Sequence, residues 1–310
     1  MATRKNLSGS MAFRSYIPPK ISEYEIITEG LDLEGLHLLF GKLSRELHAA
    51  DEDAVSSIIK REAYASYDLA ADHASNPFSF FAVENENAEN IIRATRYGVE
   101  ALEEFPISSR LMRNLHYIIC EGADYDKKYR GDFRKSPVWI GRPGAGIHDA
   151  DYVAPVGEDL TEGMTDLENY INYSEHDPFV KAAVIHYQFE MLHPFIDANG
   201  RVGRLLNNLF LLESGNLPNA ALLLSPVISR NYNRYCNEIQ KLNATHDMTS
   251  WLKYFLELLR EAAIITLKQD GTPVTYTELG CRKQESDSDG DHCSDFDDET
   301  VQLGLDSCGD

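Results

Sequence analysis

Twelve consecutive residues, His193–Arg204 (HPFIDANGRVGR), constrain this chain more than any other stretch. Upstream, residues 178–192 (PFVKAAVIHYQFEML) form a mostly apolar run whose one proline stands at the start, where a helix tolerates it. Downstream, residues 204–216 (RLLNNLFLLESGN) read as a second helix that stops at Gly215. The twelve residues therefore join two helices, with Asn199-Gly200 expected to turn the backbone and open the second. Arg201 and Arg204 stand in that helix's first turn, where cations oppose the macrodipole. A local misfit of this kind tends to mark function.

Each residue type at the junction suits phosphate chemistry. Successive backbone N–H groups at a glycine-containing turn, aimed from a helix N-terminus, make an anion-binding nest. Gly200 lets a phosphate approach without a Cβ in the way. Arg201 and Arg204, three residues apart, lie on nearly the same helix face and can fork onto phosphate oxygens. Asp197 is a hard oxygen ligand suited to Mg²⁺. His193 can take a proton near neutral pH and is a natural general base.

The segment resembles the signature of Fic-domain proteins, HPFx(D/E)(G/A)NGRxxR. His193, Pro194, Phe195, Asp197, Ala198, Asn199, Gly200, Arg201 and Arg204 all match it. A second phrase of the family, G-x-F-R-x-x-x-V-W-I-G, is present as Gly131, Phe133, Arg134, Val138, Trp139, Ile140 and Gly141. The resemblance implies an all-α fold, a Fic-type helical bundle with one β-hairpin flap over the active site. It implies a protein adenylyltransferase that moves AMP from ATP to a Ser, Thr or Tyr hydroxyl of another protein, with Mg²⁺. The residues carried over are His193 as base and Asp197 at the metal. Phe195, Ala198, Asn199, Gly200, Arg201, Gly203 and Arg204 fall at the nucleotide, and Val138, Trp139, Ile140 and Gly141 in the target-binding flap. Val138, Trp139 and Ile140 also suit an ordinary core. Relatives of the Doc type carry Lys where Gly200 stands and transfer phosphate, so Gly200 speaks for AMP. The motif leaves open UMP, phosphocholine or phosphate transfer, and a non-catalytic peptide-binding module.

The chain has 310 residues with 29 Lys and Arg against 50 Asp and Glu, a net charge of −21. That balance speaks against nucleic-acid and anionic-membrane partners. No run of about 18 apolar residues suggests a membrane span, and the start lacks the apolar stretch of a Sec-type signal peptide. Cys120, Cys236, Cys281, Cys293 and Cys308 are odd in number and lack metal-ligand spacing, which fits reduced thiols in a cytoplasm. Delivery into a host cell and a homodimeric assembly are both compatible with the sequence.

Four regions are expected: a flexible lead-in over 1–30, an N-terminal helical extension over 31–95, a Fic core over 96–268, and a tail over 269–310. Within the tail, residues 281–310 carry ten acidic and two basic residues, too polar to bury a core. Helices are expected over 33–49, 56–75, 86–104, 107–121 and 160–174, with two more over 225–263 broken near Asn243–Asp247. A hairpin is expected from Val138 to Val153. Tyr232 and Tyr235, one turn apart, suit the wall of an adenine pocket, and equally an ordinary core. In the subclass with an N-terminal extension, a motif of the form SxxIEG supplies a Glu that pairs with the second motif arginine and inhibits the enzyme. Ser66–Ala71 aligns with it and puts Ala70 at the Glu position and Ala71 after it, so this carboxylate is expected to be absent.

Overall fold

The computed structural model describes residues 2–7, 12–72, 88–122, 129–141 and 146–268. The acidic tail and the Gly/Pro turn at 142–145 lie outside the described residues. Two strands, β1 (Ala2–Asn6) and β2 (Phe13–Ile17), precede four helices: α1 (Leu33–Ala49), α2 (Glu52–Asp72), α3 (Ala88–Leu102) and α4 (Ser109–Ile119). A second hairpin follows, β3 (Trp139–Ile140) and β4 (Tyr152–Val153). The remaining helices are α5 (Glu158–Tyr173), α6 (Pro178–Leu192), α7 (Asn199–Glu213), α8 (Leu224–Arg230), α9 (Tyr232–Thr245) and α10 (Met248–Leu267). The fold is thus the expected helical bundle carrying a small hairpin.

Helix α6 is the axis. Asp177 caps it by accepting from the Phe179 N–H at 2.9 Å, with Pro178 in the first turn. Apolar side chains then fall on every face, and only a helix enclosed all round can satisfy that pattern. Helices α5, α7 and α10 pack against it. Phe179, Val184, Tyr187, Phe189 and Leu192 are fully buried there, and Trp251 of α10 donates its indole N–H to the Ala183 carbonyl at 2.8 Å. His186 is one of the polar residues buried inside this core. His186 accepts from Asn207 Nδ2 at 2.8 Å through Nδ1 and donates through Nε2 to the Tyr235 hydroxyl at 2.8 Å. Burial, and secondarily Arg204, pull its pKa down to about 3, so it is a neutral structural link between α6, α7 and α9.

Helix α2 reaches across to α7 and α8. Its Glu62 carboxylate accepts from the backbone N–H and hydroxyl of Ser225, in the first turn of α8, and so caps a helix that has no side-chain cap of its own. This contact sets the height of α2 beside the junction after α6.

Two features differ from the sequence reading. The lead-in expected to be flexible contains an antiparallel hairpin, registered from Ala2↔Ile17 to Asn6↔Phe13. A two-stranded ribbon is marginal alone; here Tyr16 is buried against Tyr152 at 5.5 Å between rings, and Arg4 pairs with Asp159 at 2.8 Å. The hairpin exists because of contacts distant in sequence. Likewise, the segment 225–263 holds parts of three helices rather than two. Asn231, with φ −127° and ψ 42°, leaves the helical region and separates α8 from α9.

Gly98 on α3 lets that helix approach α7: a Cβ there would come within 2.6 Å of Leu209 Cδ1. Gly98→Ala is expected to cost about 1–3 kcal/mol through overpacking, measured as a lowered urea midpoint with unchanged slope.

Candidate functional site

The junction between α6 and α7 is held in an unusual backbone. His193 (φ 46°, ψ 58°) and Ala198 (φ 60°, ψ 12°) are both left-handed, a conformation costing an L-residue roughly 1–2 kcal/mol. The corner expected at Asn199-Gly200 therefore falls one residue earlier, on Ala198, while Asn199 and Gly200 are already helical. Surrounding contacts impose this shape. Asn199 is 2% exposed and staples the loop: its Oδ1 accepts from Phe195 N at 2.8 Å and its Nδ2 donates to Phe195 O at 3.0 Å. Phe195 lies in the core, stacked on His116 at 3.9 Å with planes 2° apart. His116 Nδ1 accepts from the Gly131 N–H at 2.9 Å, and burial drives its pKa to about 3. Its proton therefore sits on Nε2, beside Cys120 Sγ at 3.3 Å. This Cys–His pair is fully buried and serves as a platform for the loop.

Helix α7 begins at Ala198 without a side-chain cap, so the positive end of the helix and its first-turn amides face the loop. Arg201 and Arg204 are 4% and 6% exposed. Arg201 donates to Asp197 Oδ2 at 3.1 Å, and burial followed by repulsion from Arg204 lowers its pKa to about 9, still protonated at neutral pH. Arg204 is held by α2: its Nε donates to Ser66 Oγ at 3.0 Å and its Nη2 to Ser66 O at 2.9 Å. Both glycines of the motif make room for neighbours. A Cβ on Gly200 would meet Arg204 Nη1 at 2.8 Å, and one on Gly203 would meet Glu190 Oε1 at 2.8 Å. Ala70 lies one helical turn beyond Ser66 in α2, but its side chain and that of Ala71 are outside the described residues.

His193 is half-buried at the mouth of the loop. Its Nδ1 lies 3.2 Å from the Glu190 carbonyl, which can only accept. The proton is thereby placed on Nδ1 and the lone pair on Nε2. Desolvation and then the Arg134 guanidinium lower the pKa to about 4, against the opposing Glu190 carbonyl, so the ring is neutral at physiological pH.

In the hairpin, Trp139 pairs with Val153 and Ile140 with Tyr152. Val138 and Gly141 are buried, Trp139 is half-buried and Ile140 is 42% exposed. Exposure thus rises from Val138 to Ile140 and falls again at Gly141. Among the described residues β3 has one sheet neighbour, β4, while β4 packs on β2. The two tyrosines differ: Tyr235 is buried, bound to His186 and packed on Trp251, whereas Tyr232 is half-buried at the start of α9. Both lie within electrostatic reach of Arg204. His116, Glu190 and Arg134 drew no role from the sequence. Nothing in a helical or alternating pattern separates them from core residues, although Arg134 stood in a quoted motif.

The Fic/DOC family model matches residues 106–211, which span α4 to most of α7. Residues 106–211 therefore form a Fic/DOC domain. The chain is 37% identical over 92 residues to the protein adenylyltransferase Fic of Drosophila virilis, and 38% identical over the same length to that of Drosophila yakuba. Those 92 residues are 28% of this chain but only 17% of either relative's length. In overall shape the chain is similar to a Fic family protein from Desulfovibrio desulfuricans G20, with a TM-score of 0.62 and 20% identity over 81% of this chain and 78% of that one. A Fic-domain protein from Bacteroides thetaiotaomicron VPI-5482 follows, with a TM-score of 0.52 and 18% identity over 76% of this chain and 97% of that one. At such identities these likenesses describe the fold.

Asn199→Ala would orphan the buried N–H and C=O of Phe195. We expect a loss of about 2 kcal/mol in denaturant unfolding.

Proposed function

We propose that the chain is a transferase that moves AMP from ATP to a hydroxyl of a protein target. The single observation that carries the reading is the tautomer of His193: a neutral imidazole, its Nδ1 committed to the Glu190 carbonyl, with Nε2 left to accept a proton. Around it stand an uncapped helix N-terminus and two buried arginines, which is the arrangement expected for the polyphosphate of a nucleotide.

The residues fit a magnesium ion in one way. Among the described residues no three His, Cys, Asp or Glu side chains gather to hold a metal. Mg²⁺ is commonly held by one or two carboxylates together with substrate phosphates. Asp197, 29% exposed at the loop, is the carboxylate available for that. When bound, the ion would neutralise phosphate charge.

In the proposed reaction the target hydroxyl gives its proton to His193 Nε2. The oxygen forms a bond to Pα, the bond from Pα to the bridging oxygen breaks, and pyrophosphate leaves with that electron pair. The helix α7 amides and Arg201 stabilise charge on the phosphates. Arg204 joins them by exchanging its Ser66 contacts for phosphate oxygens. The target segment lies along β3, adding a strand to the hairpin, and Tyr232 lies beside the base. A cytoplasmic setting belongs to this proposal.

Incubation with α-labelled ATP and Mg²⁺ should label the protein or a lysate target, and His193→Ala should abolish the label. Label from γ-labelled ATP instead would mean phosphate transfer; label from neither would redirect attention to other nucleotides. Activity should persist on the acid side to near pH 4, because only below the lowered pKa does the imidazole already hold the proton it must accept. An acid limb at 6.5, the ordinary histidine value, would exclude this environment for the base. Ala70→Glu places a carboxylate at the position aligned with the inhibitory glutamate, four residues after Ser66 in α2. It should reduce transfer tenfold or more, and undiminished activity would disprove the alignment at Ser66–Ala71.

A further inference from the structure

The last two carbonyls of α6 and the two just after it are engaged by the hairpin segment. The Tyr152 hydroxyl donates to Met191 O. Arg134 Nη2 donates to Leu192 O at 3.2 Å, Arg134 Nε to His193 O at 2.7 Å, and the Arg134 backbone N–H to Pro194 O at 2.9 Å. The same guanidinium donates to Ser136 O at 3.1 Å, just before β3, and to Pro155 O at 2.6 Å, just after β4. Arg134 is 4% exposed, and its four side-chain hydrogen bonds described above all run to carbonyls. A buried cation ordinarily needs an anion; here the negative end of α6 takes that place.

We propose that Arg134 is a positioning residue for the transfer: it caps the C-terminus of the catalytic helix, holds His193 in its left-handed conformation, and locks both strands of the flap to that same point. This rests on the functional reading above and adds to it a coupling between the strand that receives the target and the base that deprotonates it. A target strand seated on β3 would sit on a frame whose two ends meet at the guanidinium that also bonds to His193 O. The guanidinium charge acts on the imidazole ring as well. Among the described residues, the other group bearing on that ring is the Glu190 carbonyl on α6. Lysine would keep the charge but not the fork, since an ammonium cannot serve four carbonyls in the guanidinium plane.

Two variants separate geometry from charge. Arg134→Gln removes the cation, and Arg134→Lys keeps it with the fork lost. The His193 imidazole is followed by NMR titration in isotopically labelled full-length protein, and label transfer from α-labelled ATP is measured on the same samples. In Arg134→Gln the His193 titration should move up by about one pH unit toward the ordinary histidine value, whereas in Arg134→Lys it should stay near the wild-type position. Both should lose transfer by about 10–100-fold in kcat, as displaced catalytic groups do, with the KM for ATP within threefold of wild type. A purely structural role would lower stability without moving the titration or separating kcat from KM. An unshifted titration in folded Arg134→Gln, or full transfer by Arg134→Lys, would overturn the proposal; the lysine variant decides alone if the glutamine variant does not fold. If wild-type protein transfers no label, the functional reading fails, while the titration still tests the bond between Arg134 and the His193 loop.

Discussion

The C-terminus of α6 is the point on which the molecule depends. A helix ends with carbonyls that lack intrahelical donors, and burying them without partners is costly. This helix is enclosed on every side, so water cannot satisfy its end. The hairpin segment does so instead, through Arg134 and the Tyr152 hydroxyl. A left-handed residue is then needed to turn the chain away, and that residue is His193. Termination of the central helix and placement of the candidate base are one event.

From there the loop closes by a series of dependent contacts. Asn199 ties back to Phe195, Phe195 stacks on His116, and His116 is fixed by the Gly131 amide at the root of the hairpin. The hairpin therefore grips the loop from two sides, through Arg134 above and Gly131 below. Such a closed circuit can hold two left-handed L-residues whose strain would otherwise relax. It also keeps three histidines neutral at physiological pH: His116, His186 and His193 are all lowered by burial, but only His193 is within reach of solvent. Burial thus leaves two inside the scaffold and one, the candidate base, at the mouth of the loop.

The arginines show a further division. Arg201 is committed to Asp197 within the loop, while Arg204 reaches out to Ser66 on the N-terminal part of the chain. The N-terminal helix therefore bears on the site even where the position aligned with an inhibitory glutamate is alanine. Glu62, one turn before Ser66, fixes α2 to α8 and so sets how far Ser66 stands from Arg204. Regulation through α2 would act on a contact that a serine already makes.

The helix–loop–helix junction, the identity of the polar groups on it and the outline of α1 and α6 were all legible in the amino-acid sequence. These follow from residue type and short-range periodicity. The sequence also contained the hairpin, through the β-branched and aromatic run at Val138-Trp139-Ile140. Where the loop turns depends on packing, because Ala198 adopts a left-handed conformation that contacts impose and its own chemistry disfavours. The N-terminal strands, the neutral core histidines, the grip of Ser66 on Arg204 and the role of Arg134 were likewise beyond the sequence. Each is a hydrogen bond or packing contact between residues tens of positions apart or more, and local pattern carries no information about which distant partner will satisfy a buried polar group.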